Sequence, residues 1–253
     1  MAAGIPRRDS GAVRGWWQEI AGLVLPSPCA GCGLGRAVLC EECRARLCGR
    51  RPREVRPDPV PPGLPPVFAA APYAAGVRSV LLAHKERGAL ALAEPLGAAL
   101  AAAVRATGAG GGGGGGRGGR GPLLLVPVPS ARQAVAGRGH DACRRIALAA
   151  ARALRGVGVP ARTAPVLRLR RPVADQAELD AHDRWANVAG AMGTVRAVGR
   201  VWRDGGPVVL VDDLMTTGAS LAEAARAVGV SGGRAVAAAV VAAAPRAFES
   251  NRN

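Results

Sequence analysis

The sequence predicts an α/β protein: an open parallel sheet flanked by helices, with a small N-terminal four-cysteine module. Three observations carry the class. Residues 123–128, 208–211 and 234–243 are near-continuous apolar runs, as expected of strands covered on both faces. The first two runs are each followed by a loop and then a helical pattern, the order that builds a parallel sheet. Four cysteines, Cys29-x2-Cys32-x7-Cys40-x2-Cys43, stand apart near the start. No G-x-G-x-x-G opens a helix after the first strand, which sets aside a dinucleotide-binding sheet.

The totals bound the answer. A chain of 253 residues fits one ordinary domain plus a small appendage. The net charge of +16 is almost all arginine, with Lys85 the only lysine. Such a balance suits nucleic acid or a phosphorylated ligand. The arginines are scattered, however, and Ala, Gly, Arg and Pro dominate throughout, which reads equally as a compositional bias of the genome. The start carries Arg7, Arg8, Asp9 and Arg14 and no apolar h-region, so no signal peptide is expected. The longest apolar candidate, 89–104, contains Glu94 and Pro95, so no membrane span is expected. A cytoplasmic location follows as the expectation, with cysteines reduced and free to bind metal.

In chain order, residues 1–50 form an N-terminal segment and the cysteine module. Trp16 and Trp17 open a short amphipathic piece to Leu25, expected to pack on the module or the main domain. Two C-x2-C hooks can bring four thiolates to one tetrahedron, and a filled tetrahedron leaves no place for water, so a structural zinc is expected. A redox pair or a disulfide is the competing reading. The module is too small to bury much core, so the metal is expected to supply most of its folding energy. Cys48 reads as a spare and Cys143 as core. Residues 51–66, with seven prolines, read as a semi-rigid extended linker outside any core.

Residues 67–245 read as the main domain: a short strand at 67–73, a helix at 77–85 and an alanine-rich helix at 90–104. The glycine tract 108–121 is expected to be a flexible surface loop, since it offers no defined backbone geometry for a ligand. The strand 123–128 leads into Ser130, Arg132, Arg138, His140 and Asp141 and a helix through Leu154, with a loop expected to open on the same crevice as the next motif. A weaker strand is expected at 162–169, a polar irregular stretch at 170–200, a last parallel strand at 234–243, and a frayed tail at 246–253.

The stretch V-V-L-V-D-D-L-M-T-T-G-A-S, residues 208–220, organises the chain. A strand ends in two acids, and a hydroxyl-and-glycine loop, Thr216-Thr217-Gly218-Ala219-Ser220, precedes a helical pattern. A helix start offers unpaired N–H groups, and Gly218 lets the backbone approach an anion, so a phosphate monoester fits there. Asp212 and Asp213 are then placed to accept from the hydroxyls of an attached sugar. An ordinary strand followed by a capped helix is the competing reading, but adjacent acids at the end of an apolar strand are costly unless something binds them.

This stretch resembles the phosphoribosyl-pyrophosphate (PRPP) motif of type I phosphoribosyltransferases, with Met215 where most members carry a smaller residue. The chain from about Leu25 to Ala244 resembles the ComF family (ComFC- or GntX-like proteins), which join an N-terminal zinc-ribbon to a phosphoribosyltransferase domain. The likeness rests on L-P-S-P-C-A-G-C-G…L-C-E-E-C, on Y-A-A-G-V-R-S-V-L-L-A-H-K-E-R-G, on L-L-V-P-V-P-S…R-G-H-D, on R-P-V-A-D-Q-A-E-L…R-W-A-N-V-A-G-A-M and on V-D-D-L-M-T-T-G-A-S. The family usually has R-G-F-N-Q where this chain has Arg138-Gly139-His140-Asp141-Ala142, which removes an amide pair, and the glycine tract is an insertion.

The resemblance implies an enzyme: Mg-dependent transfer of a 5-phosphoribosyl group from PRPP to a nitrogenous acceptor, through a transition state with oxocarbenium character. It implies ribose-binding and catalytic roles for Asp212 and Asp213, and 5′-phosphate binding by Thr216, Thr217, Gly218, Ala219 and Ser220. Ser130 is assigned to the pyrophosphate, with Lys85, Arg138, Arg170 or Arg171 as neutralising cations. Zinc on Cys29, Cys32, Cys40 and Cys43 and Mg with PRPP are the implied metals. Two alternatives stand beside it: an accessory protein of DNA uptake, linked to natural competence and binding nucleotide or single-stranded DNA, and a regulator that senses PRPP.

Overall fold

The computed structural model of the chain describes residues 28–110, 121–173 and 187–249. The tryptophan-bearing piece, residues 111–120 of the glycine tract and the stretch with Asp175, Gln176, Arg184 and Trp185 lie outside the described residues.

Eight strands follow in chain order: β1 (Arg53–Val55), β2 (Val67–Pro72), β3 (Leu123–Pro127), β4 (Ala161–Thr163), β5 (Leu167–Leu169), β6 (Met192–Thr194), β7 (Val208–Met215) and β8 (Ala235–Ala243). Helices α1 (Glu41–Cys48), α2 (Ala75–Glu86), α3 (Ala93–Ala106), α4 (Arg132–Arg138), α5 (Ala142–Gly156), α6 (Val198–Asp204) and α7 (Ala219–Val230) alternate with them. Six strands form the main sheet in the order β1-β2-β8-β7-β3-β4. All its neighbours run parallel except β1, which pairs antiparallel with β2.

The apolar runs are continuous because both faces of the sheet are covered. Strand residues alternate between two cores. Leu125, Val209, Val211, Ala239 and Val241 face one cluster, which α2, α3 and α5 complete. Leu124, Val126, Leu210, Ala238 and Val240 face the other, closed by α7, α6 and the β5–β6 pair. Small residues bring the helices near: a side chain at Gly97 in α3 would collide with Ala149 and the backbone of α5.

The order has one functional consequence. From β3 the chain moves outward to the edge strand β4, whereas from β7 it moves the other way to β8. Strands β3 and β7 are neighbours, with Pro127 opposite Val211, so their carboxyl ends flank the point where the winding reverses. Loops diverge there and leave a crevice, the usual ligand position in open α/β sheets.

Three expectations are corrected. Residues 51–66 are not an extended linker outside the core: β1 adds to the sheet, Val55 is buried, and Pro57 is buried as well. Prolines are tolerated here because Pro52 and Pro57 flank β1 instead of lying within it, so no ladder donor is lost. The strand expected across 162–169 is two: β4 joins the main sheet, while β5 pairs with β6 outside it. The tail is ordered through Glu249, with Ala247 fully buried and its carbonyl accepting from the Arg56 N–H at 3.0 Å.

The cysteine module contains no strand among the described residues; an irregular segment joins a knuckle to α1. Leu39, Cys43 and Leu47 belong to the same apolar cluster as α2 and α3. The module therefore shares the larger core, so apolar burial adds to whatever a metal supplies to its folding.

Candidate functional site

Strand β7 carries the two acids at its exit. Asp212 is partly exposed and Asp213 is buried. The carboxylate of Asp212 turns back to accept from the Asp213 N–H at 2.8 Å. Asp213 Oδ2 meets Lys85 Nζ of α2 at 3.0 Å. The lone lysine of the chain is thus the counter-ion of the buried acid, and Asp213 is the first cause of its raised pKa. Asp212 is pushed well above the ordinary carboxylate range, first by desolvation and then by the charge of Asp213. Two acids with one ammonium leave a site short of positive charge.

Beyond the acids, Gly218 takes φ +77°, a left-handed conformation open to glycine without strain, and turns the chain into α7. No side chain caps α7, so its first-turn N–H groups remain available to a ligand. Thr216, Thr217, Gly218, Ala219 and Ser220 line a small hollow of about 50 Å3 there. Behind the turn, Leu64 and Pro57 pack so closely that a Cβ on Gly218 would sit 3.1 and 3.3 Å from them.

The hollow adjoins a larger cleft of about 760 Å3, with Asp212, Thr216 and Ser220 common to both. That volume lies within the ~300–1,000 Å3 typical of small-molecule sites. Lys85 and Glu86 of α2 line one side, Ser130, Ala131 and Gln133 another. Arg138 also lines it, tied by Nη1 to Glu86 at 3.0 Å and by Nε to the Ala134 carbonyl at 2.8 Å. Leu169, Val173, Val188 and Met192 give it an apolar wall.

Most residues singled out from sequence therefore meet in one place: Asp212, Asp213, Lys85, Arg138, Ser130 and the 216–220 turn. Arg170 and Arg171 do not. Both are exposed and absent from the cleft lining; the Arg170 guanidinium lies over Gly193, and Arg171 Nη2 donates to the Ala189 carbonyl at 2.9 Å. Asp141 serves as the N-cap of α5, accepting from the Arg144 N–H at 3.0 Å. Cys143 is buried, as expected of core, and its thiol donates to the Val211 carbonyl at 3.5 Å.

Sequence reasoning missed Tyr73, Glu86, Gln133 and the whole apolar wall. Glu86 stood beside Lys85 in a helical pattern, so a helical turn shared with the one lysine was the available signal. The wall had none, because isolated Leu, Val and Met residues in a polar stretch look like any satellite core.

At the other end, the sulfurs of Cys29, Cys32, Cys40 and Cys43 all lie within 4.8 Å of one another, and those of Cys32 and Cys40 are 3.8 Å apart. A tetrahedron of thiolates about 2.3 Å from zinc has edges of about 3.8 Å, so this cluster can hold such a metal ion. Burial raises the Cys29 thiol, but the N–H groups of Cys40, Cys32 and Gly31 outweigh it and draw the pKa down to about 6. Gly31 is obligatory: a Cβ there would stand 2.6 Å from Cys43 Sγ. Cys48 is outside the cluster, its thiol donating to the Pro95 carbonyl at 3.7 Å.

No helix among the described residues is long and apolar enough to cross a membrane. No family model matches the chain, and no curated protein matches it in sequence.

Proposed function

We propose that the chain is a phosphoribosyltransferase of the type I fold, related to the ComF family, that binds PRPP with Mg2+ and transfers its 5-phosphoribosyl group to a nitrogenous acceptor. One observation carries the reading: two acids at the end of β7 and an uncapped, glycine-turned start of α7 open together at the winding reversal of the sheet. A cradle of N–H and hydroxyl donors suits a phosphate, and carboxylates one strand-end away suit a diol.

Each residue then has a task. The N–H groups of residues 218–220 and the hydroxyls of Thr216, Thr217 and Ser220 hold the 5′-phosphate. Asp212 and Asp213 accept from the ribose hydroxyls and fix the anomeric carbon over the cleft. Ser130 and Arg138 bind the leaving pyrophosphate, and Lys85 exchanges its Asp213 partner for that anion. Catalysis rests on positioning and charge stabilisation, since the reaction calls for no covalent attachment to protein. Mg2+ bound beside these acids would neutralise charge on the leaving group while keeping most of its waters. The acids fit such an ion, because the pair is under-neutralised by Lys85 alone. The cysteine module is read as a knuckle-and-helix site for one structural zinc ion.

Titration calorimetry with Mg2+–PRPP tests this. Binding is expected in the wild type and is expected to vanish in Asp212→Asn/Asp213→Asn; a wild type that does not bind sinks the reading. A screen of bases and amines for released pyrophosphate then identifies the acceptor.

A second reading, a DNA-uptake accessory protein that binds single-stranded DNA, is favoured by a groove of about 380 Å3 lined by Arg50, Arg51, Arg53 and Phe248. Arginines beside an aromatic ring suit phosphates and a stacked base. Salt-sensitive binding of an oligonucleotide that survives Asp212→Asn/Asp213→Asn would select it.

A further inference from the structure

Glu223 is the one acidic side chain among the described residues with no exposed surface, and the catalytic scheme does not use it. It lies one helical turn after the cradle, on the same helix as Ser220. Its Oε1 accepts from the Met192 N–H at 2.9 Å. Arg226, half exposed on the next turn, donates from Nε to Glu223 Oε2 at 2.7 Å and from Nη2 to Oε1 at 2.8 Å. The same Nη2 donates to the Met192 carbonyl at 3.2 Å.

Both peptide groups of Met192 that face away from β5 are therefore taken by one side-chain fork. In a wider sheet a neighbouring strand would occupy that edge. Here α7 does so with side chains. Met192 pairs with Leu169 across the β5–β6 ladder, and both line the cleft. The wall of the cleft thus hangs from the helix whose first turn forms the anion cradle.

We propose that Glu223 and Arg226 are a positioning pair that fixes β6, and through it the apolar wall, relative to the anion cradle. The consequence for catalysis rests on the function proposed above; the mechanical claim does not. An apolar pair of similar volume would keep helix packed on strand, since such ion pairs contribute little net stability by themselves, but it would leave the Met192 N–H and carbonyl without partners. What the fork adds is direction: one acceptor and one donor, locked to each other by two further bonds, set the distance and register of Met192. A wall so set presents the acceptor at a constant distance from a sugar anchored by the cradle. Misplacement by an ångström at that distance is costly to rate.

Two variants test it, Glu223→Gln and the double replacement Glu223→Met/Arg226→Met, which keeps apolar volume and removes direction. The double variant also leaves the Met192 N–H and carbonyl without partners, so its thermal midpoint is expected to fall by about 2–10 °C with the fold retained. Amide exchange in residues 188–195 is expected to accelerate at least ~10-fold in both variants, with β3 and β8 unchanged. The dissociation constant for ribose 5-phosphate, a probe of cradle and acids alone, is expected to stay within ~2-fold. Mg2+–PRPP is expected to slow exchange in 188–195 in the wild type and not in the variants. Unchanged exchange in 188–195, or acceleration spread equally through β3 and β8, overturns the proposal. A wild type that ignores ribose 5-phosphate overturns the functional reading instead, while the exchange rates without ligand still decide the fork.

Discussion

At the residue scale, the titration of Asp212 is the most direct handle. Its carboxyl titrates well above the ordinary range because burial and Asp213 disfavour its charge. A bound cation and diol favour the ionised form, so the complex holds fewer protons than the free protein, and affinity rises with pH. Between the bound and free pKa values the slope approaches about one decade per pH unit. Calorimetry of Mg2+–PRPP in buffers of different ionisation enthalpy is expected to show proton release, abolished in Asp213-retaining Asp212→Asn. For stability the sign is opposite to that of a salt-bridged acid: the folded state binds the extra proton, so Asp212 costs stability as pH rises. Gly218 gives the second test. Gly218→Ala combines φ +77° with a Cβ 3.1 Å from Leu64. The turn must shift, and ribose 5-phosphate binding is expected to weaken by at least ~10-fold while the far-ultraviolet circular dichroism of the protein is unchanged.

At the element scale, α1 joins the four-cysteine cluster to the main core. It begins immediately after Cys40, carries Cys43 on its first turn, and buries Leu47 against the cluster shared with α3. One zinc per chain is expected by metal analysis. Cys43→Ala is expected to abolish it and Cys48→Ala to retain it, since only Cys43 is in the cluster. Removing the ion is expected to expose α1 to proteolysis near 28–48 while the sheet survives, because the core beneath α1 is apolar and persists without metal. Loss of the whole fold on chelation would contradict that division. Helix α2 shows the same linking logic: its buried face holds Val77, Val80, Leu81 and His84, and the next residue, Lys85, reaches the acid of β7.

At the scale of the whole molecule, a sheet of alanine and valine is sandwiched between two helical layers, with few large residues to fill them. Leu210, fully buried at the centre of β7, is one of these. Leu210→Ala is expected to cost ~2–5 kcal/mol in denaturant unfolding, against a change within ~0.5 kcal/mol for exposed Leu34→Ala.

How far the chain could be read in advance follows from the range of each interaction. Sequence alone determined the class, the strands 123–128, 208–211 and 234–243, the cysteine cluster and the acid–turn–helix stretch. Each is a local pattern whose meaning is set by residues next to one another: strand periodicity, hook spacing, a glycine at a turn. Only the tertiary structure decided that β1 belongs to the sheet, that Pro57 and Leu64 back the turn at Gly218, that Lys85 and not Arg170 or Arg171 meets the acids, and that Glu223 suspends the wall of the cleft. Those facts depend on which segments the folded topology makes neighbours. In a chain so rich in arginine, charge by itself carries no address, and only the crossing order of the strands assigns one.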